Sequence, residues 1–164
     1  MFVSVFYYLK GVFIVIRLTR IKENELKQAF FMMKKGFFPT FIQYRDRINP
    51  IFQSYGKFRN KYNKSKMYWI VFNGERVGEI SLVIKDSQIH LSDFFILSEY
   101  QNRGIGQQVL RSLEDMYSAG VWHLFTIKEE KRNIHLYEKF GFIPSGVEHK
   151  INKRMTLVEY EKRK

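Results

Sequence analysis

Apolar and polar positions along the chain switch between a period of about 3.6 and a period of 2, and each change of period marks an element. Val12 to Leu18 is a nearly unbroken apolar run and predicts a buried first strand. Glu25 to Lys35 carries Leu26, Ala29, Phe30 and Met33 on one helical stripe, with Gly36 and Pro39 expected to close it. A less regular helical region follows from Thr40 to Tyr62, broken near Asn49-Pro50 and Gly56. Tyr68 to Phe72 and Val77 to Ile84 read as two strands joined through Asn73-Gly74, a dipeptide that accepts positive φ at both positions. Asp86-Ser87 turns the chain into a fourth strand, Gln88 to Leu97. If that strand is regular, His90, Ser92, Phe94 and Ile96 share one face and Asp93 points to the other.

A helix from Gly104 places Ile105, Val109, Leu113 and Met116 or Tyr117 on one stripe and ends at Ala119-Gly120. Trp122 to Ile127 is the fifth strand, and Arg132 to Phe140 is a short helix stopped by Gly141. Phe142 to His149 and Lys153 to Tyr160 form the last two strands, with 161–164 as a frayed tail. No repeat, low-complexity tract or linker interrupts this order, so a single domain over 1–164 is expected. At 164 residues such a domain buries about 70% of its unfolded surface.

The sixteen residues MFVSVFYYLKGVFIVI are apolar, but Lys10 and Gly11 interrupt them. A spanning helix needs about 20 apolar residues, and the cationic start of a secretory signal is missing. Residues 1–11 are therefore read as an N-terminal extension, either an added flap or an incorrectly assigned start. The chain has no cysteine, which excludes disulfides, thiolate metal sites and cysteine nucleophiles, and suits a reducing, cytoplasmic location. The formal charge of +12 favours polyanionic partners, and Arg45, Arg47, Lys57, Arg59, Lys61, Lys64 and Lys66 are opposed in sequence only by Asp46. Such a run is most simply a solvated face. Phe52, Tyr55, Phe58 and Tyr62 are interleaved with it and offer a nucleic-acid-binding alternative through base stacking.

The most informative segment is the strand, Gln101-Asn102-Arg103-Gly104-Ile105-Gly106, helix sequence. Main-chain N–H groups at a helix N-terminus lack internal partners and bind phosphate oxygens, glycine lets a phosphate approach, and Arg103 adds charge. The three-glycine dinucleotide fingerprint is absent, because Val109 occupies the third position. Downstream lies Leu136-Tyr137-Glu138-Lys139-Phe140-Gly141-Phe142.

These two motifs at this distance resemble the GNAT superfamily of acetyl-CoA-dependent N-acetyltransferases, over about Val12 to Tyr160, and segments such as Tyr44 to Pro50 resemble a bacterial branch of it. The resemblance implies an α/β (α+β) GNAT fold with a mixed sheet of about six to seven strands, flanked by helices and splayed between the fourth and fifth. It implies acetyl-CoA as co-substrate, no metal, an unidentified amine acceptor, no membrane partner, and a homodimer as an option. It places the cofactor on the main chain of Phe94, Phe95, Ile96 and Leu97 and on Gln101, Asn102, Arg103, Gly104, Ile105, Gly106 and Gln107. It also implies an oxyanion donor near Phe94 and Tyr137 as general acid toward the departing thiolate, in contact with the cofactor.

A lysine-like amine has a pKa of about 10.4 and must lose a proton before it attacks, and the resemblance makes His90 the leading base, because it lies eleven residues before Gln101, where some members of the superfamily place a glutamate or histidine base. Asp93 and Glu130 are the other candidates, and Ser92 could extend a water chain. Many relatives hold asparagine where this chain has Glu130, and Asn133 does not inherit that role. Phe37, Phe38, Phe41 and Tyr44 could line an acceptor pocket. A GNAT fold that binds CoA without catalysis is a further alternative.

Overall fold

A computed structural model describes residues 3–9, 12–117 and 120–163. Lys10, Gly11 and Ala119, used above as punctuation, lie outside the described residues. The chain runs through β1 (Val3–Leu9), β2 (Val12–Arg20), α1 (Leu26–Tyr44), α2 (Tyr55–Tyr62), β3 (Lys66–Phe72), β4 (Glu75–Lys85) and β5 (Gln88–Ile96). It continues with α3 (Ile105–Met116), β6 (Val121–Ile127), α4 (Lys131–Lys139), β7 (Ile143–Asn152) and β8 (Met155–Arg163). The strands form one mixed sheet in the order β1-β2-β3-β4-β5-β6-β8-β7. It has eight strands rather than six or seven because residues ahead of Val12 add β1, antiparallel to β2 from Val3↔Leu18 to Leu9↔Val12. The expected fourth and fifth strands are thus β5 and β6.

Each sheet face is covered by a different pair of helices. One buried cluster joins Ile70, Ile80, Leu91, Leu113 and Leu124 with Val109 of α3 and Tyr137 of α4. The other joins Met67, Trp69 and Phe95 with Leu26, Ala29 and Met33 of α1 and Phe58 of α2. The Asn73-Gly74 and Asp86-Ser87 turns have left-handed φ at all four residues, as hairpins of this length require.

Three boundaries differ from the sequence reading. Helix α1 does not end at Gly36 but passes Pro39 and runs to Tyr44. Pro39 cannot satisfy the Lys35 carbonyl, but both residues are exposed, so water can. Helix α2 likewise includes Gly56, with Ser54 capping it by accepting from the Lys57 amide. Residues 161–163 are not frayed: they belong to β8 and pair with Val121 to His123 of β6.

Candidate active site

The site is made by a gap in the sheet. β5 and β6 pair in parallel only from Gln88↔Val121 to Leu91↔Leu124, after which β6 follows β8 as far as Ile127. At the same place β5 bulges. Ser81 faces Ser92 and Glu79 faces Phe95, so Asp93 and Phe94 together oppose Ile80, and Asp93 takes a φ of 46°. The added residue reverses the expected parity. Phe94 and Ile96 pack with Ile89 and Leu91 on the α3 and α4 face, whereas Phe95 lies in the α1 and α2 cluster. Gly36 of α1 makes room for Phe95, since a Cβ there would stand 2.1 Å from the phenyl ring.

The bulge also sorts the main chain. Leu97 donates its N–H to Val77 at 2.8 Å and its carbonyl accepts from the Tyr100 amide at 2.9 Å. Leu97 is therefore spent within the protein, contrary to the expectation that it pairs with a ligand. Because amides alternate along a strand, that of Ile96, next to Leu97 and beyond the bulge, turns toward the gap. Phe94, Phe95 and Ile96 line a cavity of about 760 Å³ that extends from the gap to α1 and α3; Leu97 does not.

At one end of this cavity sits the glycine loop. Asn102 and Gly104 both have left-handed φ, 61° and 74°, and α3 begins at Ile105. A Cβ on Gly104 would meet nothing within 4 Å, so the space before the first turn of α3 is open. Gly106 has a different reason: its Cβ would approach Leu136 to 3.2 Å, so this glycine lets α3 pack on α4. Gln101 donates to the Ile96 carbonyl at 2.8 Å and fastens the loop to β5. Arg103 donates to the Glu99 carbonyl and stacks over Tyr100, outside the cavity lining. Sequence reasoning missed two other cations. Arg132 donates to Gln101 at 2.7 Å and Asn102 at 3.1 Å, and Lys139 to Gln107 at 3.1 Å. Nothing in their local sequence marks them, because only the packing of α4 beside α3 brings them there.

Tyr137 reaches the cavity from α4, its ring 5.9 Å from that of Phe142, and burial pushes its phenol pKa upward. Asp93 and Glu130 also line the cavity. Asp93 is ion-paired with Lys61 of α2, and Glu130 accepts a 2.7 Å hydrogen bond from Tyr44. His90 is not brought to the cavity. It lies on the segment of β5 still paired to β6, exposed and stacked on His123 with ring centroids 5.0 Å apart. Ser92 reaches the cavity, with its hydroxyl 2.8 Å from that of Ser81. Asn133 lines it as well, and Asp46, beyond α1, is a lining residue the sequence did not single out as a site.

Of the expected acceptor aromatics, Phe37 lines the cavity, Phe41 stacks edge-on against Phe52, Tyr44 is held by Glu130, and Phe38 is exposed. The aromatic half of the nucleic-acid alternative is used elsewhere. Phe58 is fully buried, Tyr55 and Tyr62 pack against the same cluster, and Phe52 stacks on Phe41. Among the described residues, no group of three or more His, Cys, Asp or Glu could hold a metal ion, and no helix is long and apolar enough to cross a membrane.

A strand pair thus parts beside the N-terminus of α3, and Tyr137 enters the gap from α4. The profile of the acetyltransferase (GNAT) domain family matches residues 63–144, half of the chain, and the chain belongs to this family of acyltransferases. By sequence it has no significant match among individual curated proteins. The fold is similar to that of RimL, a ribosomal α-N-protein acetyltransferase solved with coenzyme A, with a TM-score of 0.71, 15% identity, and coverage of 90% of this chain and 93% of that one. It is similar to the spermidine N-acetyltransferase of Vibrio cholerae, solved with CoA and spermine, with a TM-score of 0.71, 17% identity and coverage of 90% and 95%. It is also similar to the microcin self-immunity acetyltransferase MccE, solved with acetyl-CoA and AMP, at a TM-score of 0.68, 15% identity and coverage of 91% and 92%.

Proposed function

We propose that this protein transfers the acetyl group of acetyl-CoA to an amine by direct attack in a ternary complex. The observation that carries this reading is the open edge of β5 beside the uncovered N-terminus of α3. The residues fit the cofactor. Free amides at the start of α3, from Ile105 to Gln107, would hold the diphosphate, with Arg132 and Lys139 nearby. The free amide of Ile96 would pair with the pantetheine arm as a strand would, and the Phe94 amide would donate to the thioester oxygen as negative charge develops there.

In this reading the amine nitrogen forms a bond to the acetyl carbon, the carbon–sulfur bond breaks, and the thiolate leaves. Tyr137 stands ready to hydrogen-bond to the departing sulfur. Its raised pKa favours hydrogen bonding over full proton transfer, since an ordinary thiol titrates near 8.5. Asp93 takes the amine proton in place of His90, because it lies at the bulge next to Phe94 and faces the cavity. A cytoplasmic site of action belongs to the same proposal, which the cysteine-free composition supports. The test is thiol release from acetyl-CoA over a set of amines. Amine-dependent release that falls in Tyr137→Phe supports the reading, and no release with any amine contradicts it.

A further inference from the structure

The acceptor half of the cavity is anionic in a chain whose formal charge is +12. Three carboxylates line it: Asp46, Asp93 and Glu130. Each is held by a different device. Asp46, 1% exposed, accepts from the Asn49 side-chain amide at 3.0 Å; Glu130 accepts from Tyr44; Asp93 pairs with Lys61. A fourth carboxyl stands behind them. Glu79 is 1% exposed, neither of its oxygens has a hydrogen-bond partner, and burial holds it protonated behind Asp93, so it adds no charge to the cavity. Holding a carboxylate on a neutral hydrogen-bond donor alone costs stability when it is drawn from water, so Asp46 and Glu130 point to a ligand that offers positive charge. The lining arginine, Arg132, is bonded to Gln101 and Asn102 at the cofactor end, and Lys61 compensates Asp93 alone, so Asp46 and Glu130 are left with the neutral partners Asn49 and Tyr44.

The carboxylates are spread along α1 rather than gathered at a point. That helix touches Phe95, two residues from Asp93, at Gly36, and it touches Glu130 at Tyr44, two residues before Asp46. Tyr44 lies eight positions after Gly36 along the helix, a rise of about 12 Å. Phe37 and Pro39 of α1, with Ile48 and Phe125 from other segments, give the cavity wall apolar surface beside the polar Thr40 and Gln43.

We infer that the acceptor is a small aliphatic amine with two or more positive charges, whose reacting nitrogen lies near Asp93 and whose distal ammonium lies near Asp46 and Glu130. This rests on the transferase reading above and narrows it to a substrate class. A methylene chain suits the apolar wall, a second ammonium suits the distal carboxylates, and an acidic or neutral acceptor would leave them unpaired.

The test compares kcat/KM for 1,8-diaminooctane, whose extended chain spans roughly the rise between the two ends of the wall, with that for n-octylamine, which has the same carbon chain and lacks the second ammonium. A charged hydrogen-bonding pair gives an expected preference for the diamine of about 10- to 100-fold, and Asp46→Asn should narrow that ratio. Equal kcat/KM for the two amines overturns the inference while leaving the enzyme a transferase. Turnover of neither, or of a peptide α-amine alone, also overturns it. CoA titration by calorimetry on the same preparation then decides whether the transferase reading falls as well.

Discussion

Tyr44 donates its phenolic hydrogen to Glu130 at 2.7 Å, across 86 residues of sequence, and so ties the last turn of α1 to the residue that precedes α4. The bond fixes the direction of one cavity carboxylate, and the nearby carboxylates push the Tyr44 phenol pKa further above the ordinary range after burial has raised it. Tyr44→Phe should cost about 1 kcal/mol of stability and raise the KM for the amine with little change in that for acetyl-CoA. Denaturant unfolding and steady-state kinetics on the same variant check both.

Tyr137→Phe keeps the ring that packs on Phe142 and removes only the hydroxyl. Turnover should fall by about 10- to 100-fold while the KM for acetyl-CoA changes little, the signature of an interaction made in the transition state. Unchanged turnover would take Tyr137 out of the chemistry.

The two loop glycines predict opposite outcomes. Gly104 has a φ of 74° and open space beside it, so alanine there brings about 1 kcal/mol of backbone strain and places a methyl group where a phosphate would lie. CoA affinity should drop by about tenfold or more. Gly106 is helical and touches a flexible leucine, so Gly106→Ala should need only a small shift of Leu136 and leave stability within about 1 kcal/mol. Calorimetry and thermal unfolding of the two variants separate these effects.

Local chemistry makes the glycine turn into α3 legible in the sequence, as it does the Asn73-Gly74 turn and the stripe of α3. The bulge at Asp93 was not readable, because a bulge is a mismatch between two strands and neither strand carries it alone. That single residue turned Phe94 and Ile96 to the opposite face from His90. The place of His90 was hidden for a related reason: its distance from Gln101 along the chain says nothing of where β5 and β6 part. Helix α1 outran the sequence reading because Lys35 and Pro39 are exposed, a tertiary property, so water can satisfy the carbonyl that proline leaves without a donor. Asp46, Arg132 and Lys139 reach the cavity or its rim only through packing of separate elements.

Glu79 gives the protein a pH dependence of known sign. Burial first, then Asp93, with Lys61 opposing, pushes its pKa up to about 9 from an ordinary 4.5. Between those values the folded state holds a proton that the unfolded state releases, so this residue makes stability fall as pH rises from about 4.5 to about 9 and level off above. The slope approaches about 1.4 kcal/mol per pH unit in the middle of the window. Glu79→Gln should flatten that segment of the stability curve and leave the variant relatively more stable at pH 8 than at pH 5, by urea unfolding at each pH. A wild-type curve with no decline over that window would contradict the assignment.

The account rests on the first turn of α3 as a diphosphate cradle, and titrating the folded protein with CoA and with pantetheine, which lacks the diphosphate and nucleotide, tests this most directly. The prediction is measurable heat with CoA and an affinity at least about tenfold weaker for pantetheine. No heat with CoA, or equal affinity for the two, would contradict it.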